Sequence, residues 1–461
     1  MDISLLDKYD ASLPDETVLR VQKSYSRRVV LLCGDPVGNS SSVAGGVCAR
    51  TYRKGVYGFA SLPEYTDAAI GTVLARASEN AAFLGSRAGK KDAPLPADFF
   101  RGSLSPRPFV PVPQGTIMDF ARAIDGYIAE KYPSLASRTV ACRSDCRDKL
   151  LTVGAGVCHQ TMPRSYLIIS LSAQAADGSG TVDVFEVLGG GEGYFTDYYT
   201  EPSDWFGRID AIYEELMKKA EGVFPDAGMC DCVIDSELAG MLAHEAVGHT
   251  TEADLVLAGS VAAGRLGQQV ASEKISLTDF AYEAFGEKAP LPVYVDDEGT
   301  AASDVPIITN GILTGYMTSR ETSTHFDGMP VRGNARAFAY SDEPLVRMRN
   351  TCIHPGTDKL EDMIASIDKG YYLLDSGNGQ ADTTGEFMFG ITRGYEIVGG
   401  KLGRALRDTT ISGVAFDMLK TVDMVGDTVA WSSSGYCGKK QPMPVSMGGP
   451  AIKGRVNIGG R

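Results

Sequence analysis

From residue 230 onward glycines cut the chain into short alternating segments, at 292–296, 306–309, 312–317, 336–340, 387–391, 394–398, 411–416 and 428–432. Glycine weakens helix interiors, so glycines this closely spaced exclude an architecture of long helices over this half. Short apolar–polar runs between tight turns are the pattern of strands. The 53 glycines of the 461-residue chain follow no Gly-X-Y period, which excludes a collagen-like fibre. A large, mostly antiparallel β domain is expected.

The first half reads differently. Strands are expected at 27–33, 46–52, 148–153, 165–171 and 181–188, and helices at 66–84, 116–131 and 204–222. In the first helix Ile70, Leu74, Ala77, Ala81 and Leu84 form one stripe; Thr66 or Asp67 caps it and Gly85 ends it. Residues 86–114 hold Pro94, Pro96, Pro106, Pro108, Pro111 and Pro113 and read as a linker or extended arm. The expected division is an α+β module over 1–90, a Pro-rich linker over 91–115, a second α+β module over 116–225 and a β-rich domain over 226–461. The fold class is α+β: N-terminal α/β modules, then a large antiparallel domain that carries a short helix starting near Ser236.

With 44 Lys+Arg against 58 Asp+Glu, the net charge is −14. That balance argues against a bulk electrostatic grip on nucleic acid or an anionic membrane, both polyanions. No run approaches the ~20 apolar residues of a membrane span. Met1–Lys8 has neither a basic nor an apolar leader region. Nine cysteines, an odd number, exclude a fully paired disulfide framework. A cytoplasmic, reducing compartment is the expectation.

Two of the five histidines lie together in Leu242-Ala243-His244-Glu245-Ala246-Val247-Gly248-His249, an H-E-x-x-x-H pattern. The familiar zinc-protease motif has its histidines at i and i+4, on one helical face. The i, i+5 spacing here would separate them by about 140° on a regular α-helix, too far to share a metal. A π-bulge would add a residue to one turn and bring His249 back; loosening at Gly248 would do the same. Glu245 would then be placed to take a proton from a metal-activated water. A hydrolytic zinc site takes three protein ligands, and spacing alone leaves the third open among Glu252, Asp254, His325, His354 and the cysteines. Glu252, three residues past His249, could reach the metal, but reads slightly better as a carboxylate beside a ligand or simply in solvent. Cys437 sits in a glycine-flanked turn, Ser434-Gly435-Tyr436-Cys437-Gly438-Lys439, where Lys439 could help hold a thiolate.

The chain resembles the metal-bearing subunit of the TldD/TldE (PmbA) family of metallopeptidases over nearly its whole length. The resemblance is carried by the His244–His249 motif and by Gly55-Val56-Tyr57-Gly58-Phe59-Ala60-Ser61 before the first helix. Further matches are Asp296-Asp297-Glu298-Gly299-Thr300, Arg332-Gly333-Asn334-Ala335-Arg336, Arg347-Met348-Arg349-Asn350-Thr351 and Cys437-Gly438-Lys439 running on to Pro444-Val445. The resemblance implies Zn2+ held by His244, His249 and Cys437, with Glu245 as general base. It also implies a homodimer, or a heterodimer with a TldE-like sister chain that lacks the metal motif. The chain departs from the family at Ala335-Arg336, where two adjacent arginines are usual, and at Lys440, where glycine is common.

Arg332, Asn334 and Arg336 are candidate substrate-binding residues; these arginines, with Arg347 and Arg349, read either as contacts to a peptide carboxylate or as surface charge at strand ends. Cys142, Cys146 and Cys158-His159, like Cys230 and Cys232, read as core residues, and Asp296-Asp297-Glu298 as a strand end and turn. The functional expectation is a zinc-dependent peptidase acting on short or unfolded polypeptides. The alternatives are a non-catalytic binding or regulatory subunit with a structural metal, and a cysteine hydrolase using Cys437 and His244.

Overall fold

The computed structural model describes residues 6, 9, 13, 16–89, 94–100, 102–104, 110–153 and 156–459. Two sheets dominate it. The first is built from β1 (Thr17–Leu32), β2 (Asp35–Arg53) and β3 (Val56–Leu62), followed by helices α1 (Asp67–Ala88) and α2 (Gln114–Lys131). Strands β4 (Ser137–Val153), β5 (Gly156–Gln174) and β6 (Thr181–Glu192) and helix α3 (Phe206–Ala220) complete it. Six of its seven strands run β3-β2-β1-β4-β5-β6 with every neighbouring pair antiparallel, and the seventh, the two residues Gly102–Ser103, adds to β5 in parallel.

Side chains alternate across a strand, and Leu19, Val21, Val29 and Leu31 of β1 all bury on one face. There they meet α1 through Ile70, Val73 and Ala77, and α2 and α3 through Ile117, Ile124, Ile209 and Leu216. The opposite face, with Arg20 and Gln22, packs against the C-terminal half. Thr66 caps α1 by accepting from the Ala69 N–H. The helix runs past Gly85 by one turn and ends where Gly89 takes a left-handed φ of 60°.

The Pro-rich stretch does not separate two modules. β1 before it and β4 after it pair over fifteen rungs, from Val18↔Val153 to Leu32↔Thr139. Segments 1–90 and 116–225 therefore build one sheet, because each alone would leave a long unpaired edge. The arm itself runs along the C-terminal half, where Arg320 Nε donates to the Pro96 carbonyl and Phe99 bridges Thr300. Pro106, Pro108 and Met1–Leu5 lie outside the described residues.

The second sheet holds eleven strands. Its main members are β7 (Gly228–Ile234), β8 (Lys369–Ala381), β9 (Glu386–Val398), β10 (Thr409–Val414), β11 (Met424–Ser432) and β12 (Ser446–Ile458). A short helix, α4 (Ser236–Leu242), follows β7. β12 pairs with β10, β11 and β7, and β7 pairs in turn with β8, so the path β12-β10-β9-β8-β7 closes on itself. Segment 292–296 forms no strand, and 312–317 and 336–340 retain only Ile312–Leu313 and Ala335–Arg336. β8 and β12 were not expected. Their glycines mimic turns, but Gly448 is small because the Trp431 ring lies against it. Among the described residues no helix is long and apolar enough to cross a membrane.

Candidate metal centre

Helix α4 lies directly on β12. A Cβ on Gly240 would stand 2.8 Å from the Gly448 backbone nitrogen, so only glycine permits this approach. Leu238, Leu242, Ala243, Ala246 and Val247 bury into the main core, the leucines and valine each contributing about 2 kcal/mol. That packing fixes the rotation of the turn that follows: His244 is fully buried, while Glu245 and His249 face the half-exposed side.

The turn is a π-helix over Ala243–Gly248, in which the His249 N–H donates to the His244 carbonyl, five residues back. The wide turn absorbs the extra residue and stacks the rings edge to face, centroids 5.2 Å apart. Gly248 is not a point of loosening: its φ is −55°, and a Cβ there would stand 2.1 Å from the Met348 sulfur. Its glycine answers close packing.

Cys437 closes the group. It lies on a two-residue rung, Tyr436–Cys437, paired with Met443–Pro444. Arg347, fully buried, clamps the turn by donating to the carbonyls of Cys437 at 2.6 Å, and of Lys439 and Gln441, each at 3.0 Å. Lys440 sits at φ 55°, the left-handed conformation that favours glycine. Cys437 Sγ stands 3.2 Å from His249 Nε2, and the ligand atoms of His244, His249 and Cys437 all lie within 4.8 Å of one another.

Glu252 lies on the other side of the ring. Fully buried, it accepts from His249 Nδ1 at 2.9 Å and so turns Nε2 toward Cys437. Lys439 binds not the thiolate but Glu252 at 3.2 Å, Asp254 at 2.7 Å and the Val346 carbonyl at 3.0 Å. Burial would push the Cys437 thiol up; the His244 and His249 rings outweigh it and bring it down to about 3. Burial would lower His249, but the Glu252 carboxylate and Cys437 raise it to about 10. The two rings thus favour the thiolate form of Cys437, the form that ligates metals.

The donor set fits a metal. Among the described residues neither buried ring nitrogen of His244 has a hydrogen-bond partner of good geometry, and only the Cys437 thiol acts on it from nearby, a state expensive to leave uncompensated. Two imidazoles and a thiolate converge there, a set that suits zinc. Glu245 Oε2 stands 3.6 Å from His249 Nε2, on the open side.

The remaining candidates lie elsewhere. His354 Nε2 pairs with Thr278 at 2.8 Å, and His159 with Asp148 at 2.6 Å. Cys142, Cys146, Cys158 and Cys232 are buried single thiols. Asn334 donates to Asp279 at 2.8 Å and to the Arg347 carbonyl at 3.0 Å. Arg336 donates to the Met348 and Pro444 carbonyls; Arg332 is half-buried. Arg349 is fully buried on Asp279 at 2.8 Å, so neither it nor Arg347 is surface charge. The clamp by Arg347 and the support of Glu252 by Lys439 escaped the sequence reading; only their nearness to motif residues signalled them.

Residues 227–460 match the model of the PmbA/TldA metallopeptidase C-terminal domain. The chain belongs to the PmbA/TldD family. Its relatives include a zinc metalloprotease TldD homologue of Saccharolobus solfataricus, 34% identical over 63% of this chain and 64% of that protein. A metalloprotease of Methanothermobacter thermautotrophicus is 36% identical over 65% of this chain and 64% of its own length. The matched stretch thus spans just under two thirds of these PmbA/TldD relatives. The fold as a whole is similar to TldE from Thermococcus kodakarensis, with a TM-score of 0.73 at 16% identity over 99% of this chain and 100% of that one.

Proposed function

We propose that the protein is a zinc-dependent peptidase acting on short or unfolded polypeptides. The observation that carries this reading is the fully buried His244, without a well-formed hydrogen bond at either nitrogen among the described residues, gathered with His249 and Cys437 so that their ligand atoms lie within 4.8 Å of one another. His244, His249 and Cys437 would hold the metal, leaving a fourth position for water or substrate. When bound, zinc supplies a Lewis acid that polarises a peptide carbonyl and acidifies water. Glu245, on the open side, takes the proton of the attacking water and delivers it to the leaving amine. Glu252 and Lys439 keep the His249 ring oriented throughout. A peptide lying as an extended strand would bind through its backbone with little side-chain preference. A second copy, or a TldE-like sister chain, completes the assembly in the cytoplasm. In this reading Arg332, Asn334 and Arg336 belong to the region that holds the peptide.

Elemental analysis tests the site: about one zinc per chain is expected in the wild type, with marked loss in His249→Ala and Cys437→Ala. Glu245→Gln should keep its zinc and lose turnover by about a thousandfold. No metal in any sample after zinc is supplied would overturn the reading. Retention of the protein's biological effect by Glu245→Gln would favour a binding or regulatory subunit instead.

A further inference from the structure

A cavity of about 160 Å³ lies between β6 of the first sheet and α4 and β8 of the C-terminal half. A single water needs about 10–15 Å³, so a whole side chain has room here. Much of the lining is apolar: Phe185 and Val187 of β6, Leu238 and Met241 of α4, and Met447 of β12. Three carboxylates also line it, Glu186, Glu237 and Asp375, and no lysine or arginine does. Glu186 is paired with Arg208, and Asp375 with Arg393. The Glu237 side chain makes no hydrogen bond or ion pair with a described residue. It reaches solvent, yet the protein packed around it, and then the charges of Asp375, Asp235 and Glu186, raise its carboxyl to about 7. Arg393 offsets this only in part. The cavity is thus an apolar pocket with one negative charge left uncompensated.

The elements that build the metal centre also bound the cavity. α4 runs without a break into the turn that carries His244 and His249. Ser434 and Gly435, which line the cavity, lead directly to Tyr436 and Cys437. Along α4, Glu237, Met241 and Glu245 stand at i, i+4 and i+8 and so share one face. That face is the accessible one: Leu238, Ala239, Leu242 and Ala246 are buried, whereas Glu237, Met241 and Glu245 all reach solvent. An open stripe therefore joins the cavity to the open side of the centre. Eight residues of helical rise put Glu237 about 12 Å from Glu245 along the axis. An extended peptide covers that distance in about three or four residues.

We propose that this cavity is a subsite for a lysine or arginine side chain of the peptide, three or four residues from the bond that is cut. The proposal rests on the peptidase reading above. The methylene stem lies on Phe185, Val187, Leu238 and Met241, and Glu237 receives the cationic head. A peptide α-amine has no such stem and would leave the apolar walls uncovered. Backbone pairing leaves most positions of the peptide unread; this cavity reads one.

The test uses the zinc-loaded full chain and one fluorogenic peptide framework, acetylated at its N-terminus, with lysine, norleucine or glutamate placed at each position in turn. At one position, three or four residues from the cut, lysine should raise kcat/KM at least tenfold over norleucine, whose apolar stem is alike, and glutamate should fall below both. Glu237→Gln should bring the lysine-to-norleucine ratio to within twofold of one, and Glu237→Arg should turn the preference toward glutamate. A wild-type ratio near one at every position overturns the subsite and leaves the peptidase reading standing. A lysine preference that survives Glu237→Gln overturns its assignment to this cavity. The norleucine peptides are also run with a free N-terminus: a tenfold gain there, with none for lysine, overturns the side-chain assignment in favour of the α-amine. Hydrolysis of none of the peptides overturns the peptidase reading. Fluorescence anisotropy with the same peptides then decides the cavity: lysine binding at least tenfold tighter than norleucine and lost in Glu237→Gln supports it, and equal affinities overturn it.

Discussion

Two buried polar clusters, one at the boundary between the first sheet and the C-terminal half and one inside that half, are finished to different degrees. At the boundary, Asp297 accepts from Lys149 at 2.8 and 2.9 Å, pairs with Arg20 at 3.1 Å and takes the Ala337 N–H at 2.7 Å. At the candidate metal centre, His249 is held by Glu252 and Cys437, yet among the described residues His244 has no well-formed hydrogen bond at either nitrogen. Burial alone does not distinguish structure from function here, since Asp297 and His244 are both buried. What distinguishes them is whether the protein itself satisfies the group. Asp297 and Glu298 hold the two halves together through Arg20, Lys149 and Arg50, whereas His244 is left without such a partner among the described residues.

This contrast can be broken. Asp297→Ala leaves Lys149 and Arg20 buried without their counter-charge and should cost about 3–5 kcal/mol by denaturant unfolding; a loss under about 1 kcal/mol would mean that the boundary cluster is not structural. Glu252→Gln should leave the fold intact and weaken zinc binding by about 10–100-fold in competition with a chelator, because the His249 ring loses its anionic support. The acid limb of stability sharpens the comparison further. Burial pushes the Asp297 carboxyl up, but Lys149 and Arg20 outweigh it and hold it at about 2. Its folded value lies below the ordinary carboxylate value of about 4, so its contribution is present above that pH and fades as pH falls toward 2. The amount is about 2 kcal/mol. Unfolding measured from pH 5 to 2 should show this slope in the wild type and a flatter one in Asp297→Asn. The smallest effect is the most telling: in metal-free protein, His244→Leu should be neutral or stabilising by about 1 kcal/mol, since it removes an unsatisfied buried group. A clear destabilisation would show that His244 has a structural role of its own.

Much of the candidate metal centre was legible because its chemistry is local. His244, Glu245 and His249 lie within six residues, and the spacing conflict itself pointed to the wide turn found at Ala243–Gly248. Cys437 was not, since 188 residues separate it from His249; only the resemblance to a family singled it out. Gly248 was misread for the same reason, because its close neighbour is Met348, a hundred residues on. In the fold, helices with clear stripes were found nearly whole, whereas β12 was hidden by Gly448-Gly449-Pro450. Those residues look like a turn until the Trp431 ring and α4 are seen lying on them. The single first sheet was also invisible, because pairing between Thr17–Leu32 and Ser137–Val153 leaves no trace in either segment alone.

The place of β12 bears on how the chain is made. The strand following His244 in the sheet's closure is the last one described, and α4 rests on it through Gly240 and Gly448. A chain emerging from the ribosome therefore carries its histidine pair long before it has Cys437 or the floor beneath that pair. A chain that stops before residue 437 has neither the Cys437 sulfur nor the β12 bed on which α4 rests. The centre is completed only when the rest of the molecule is.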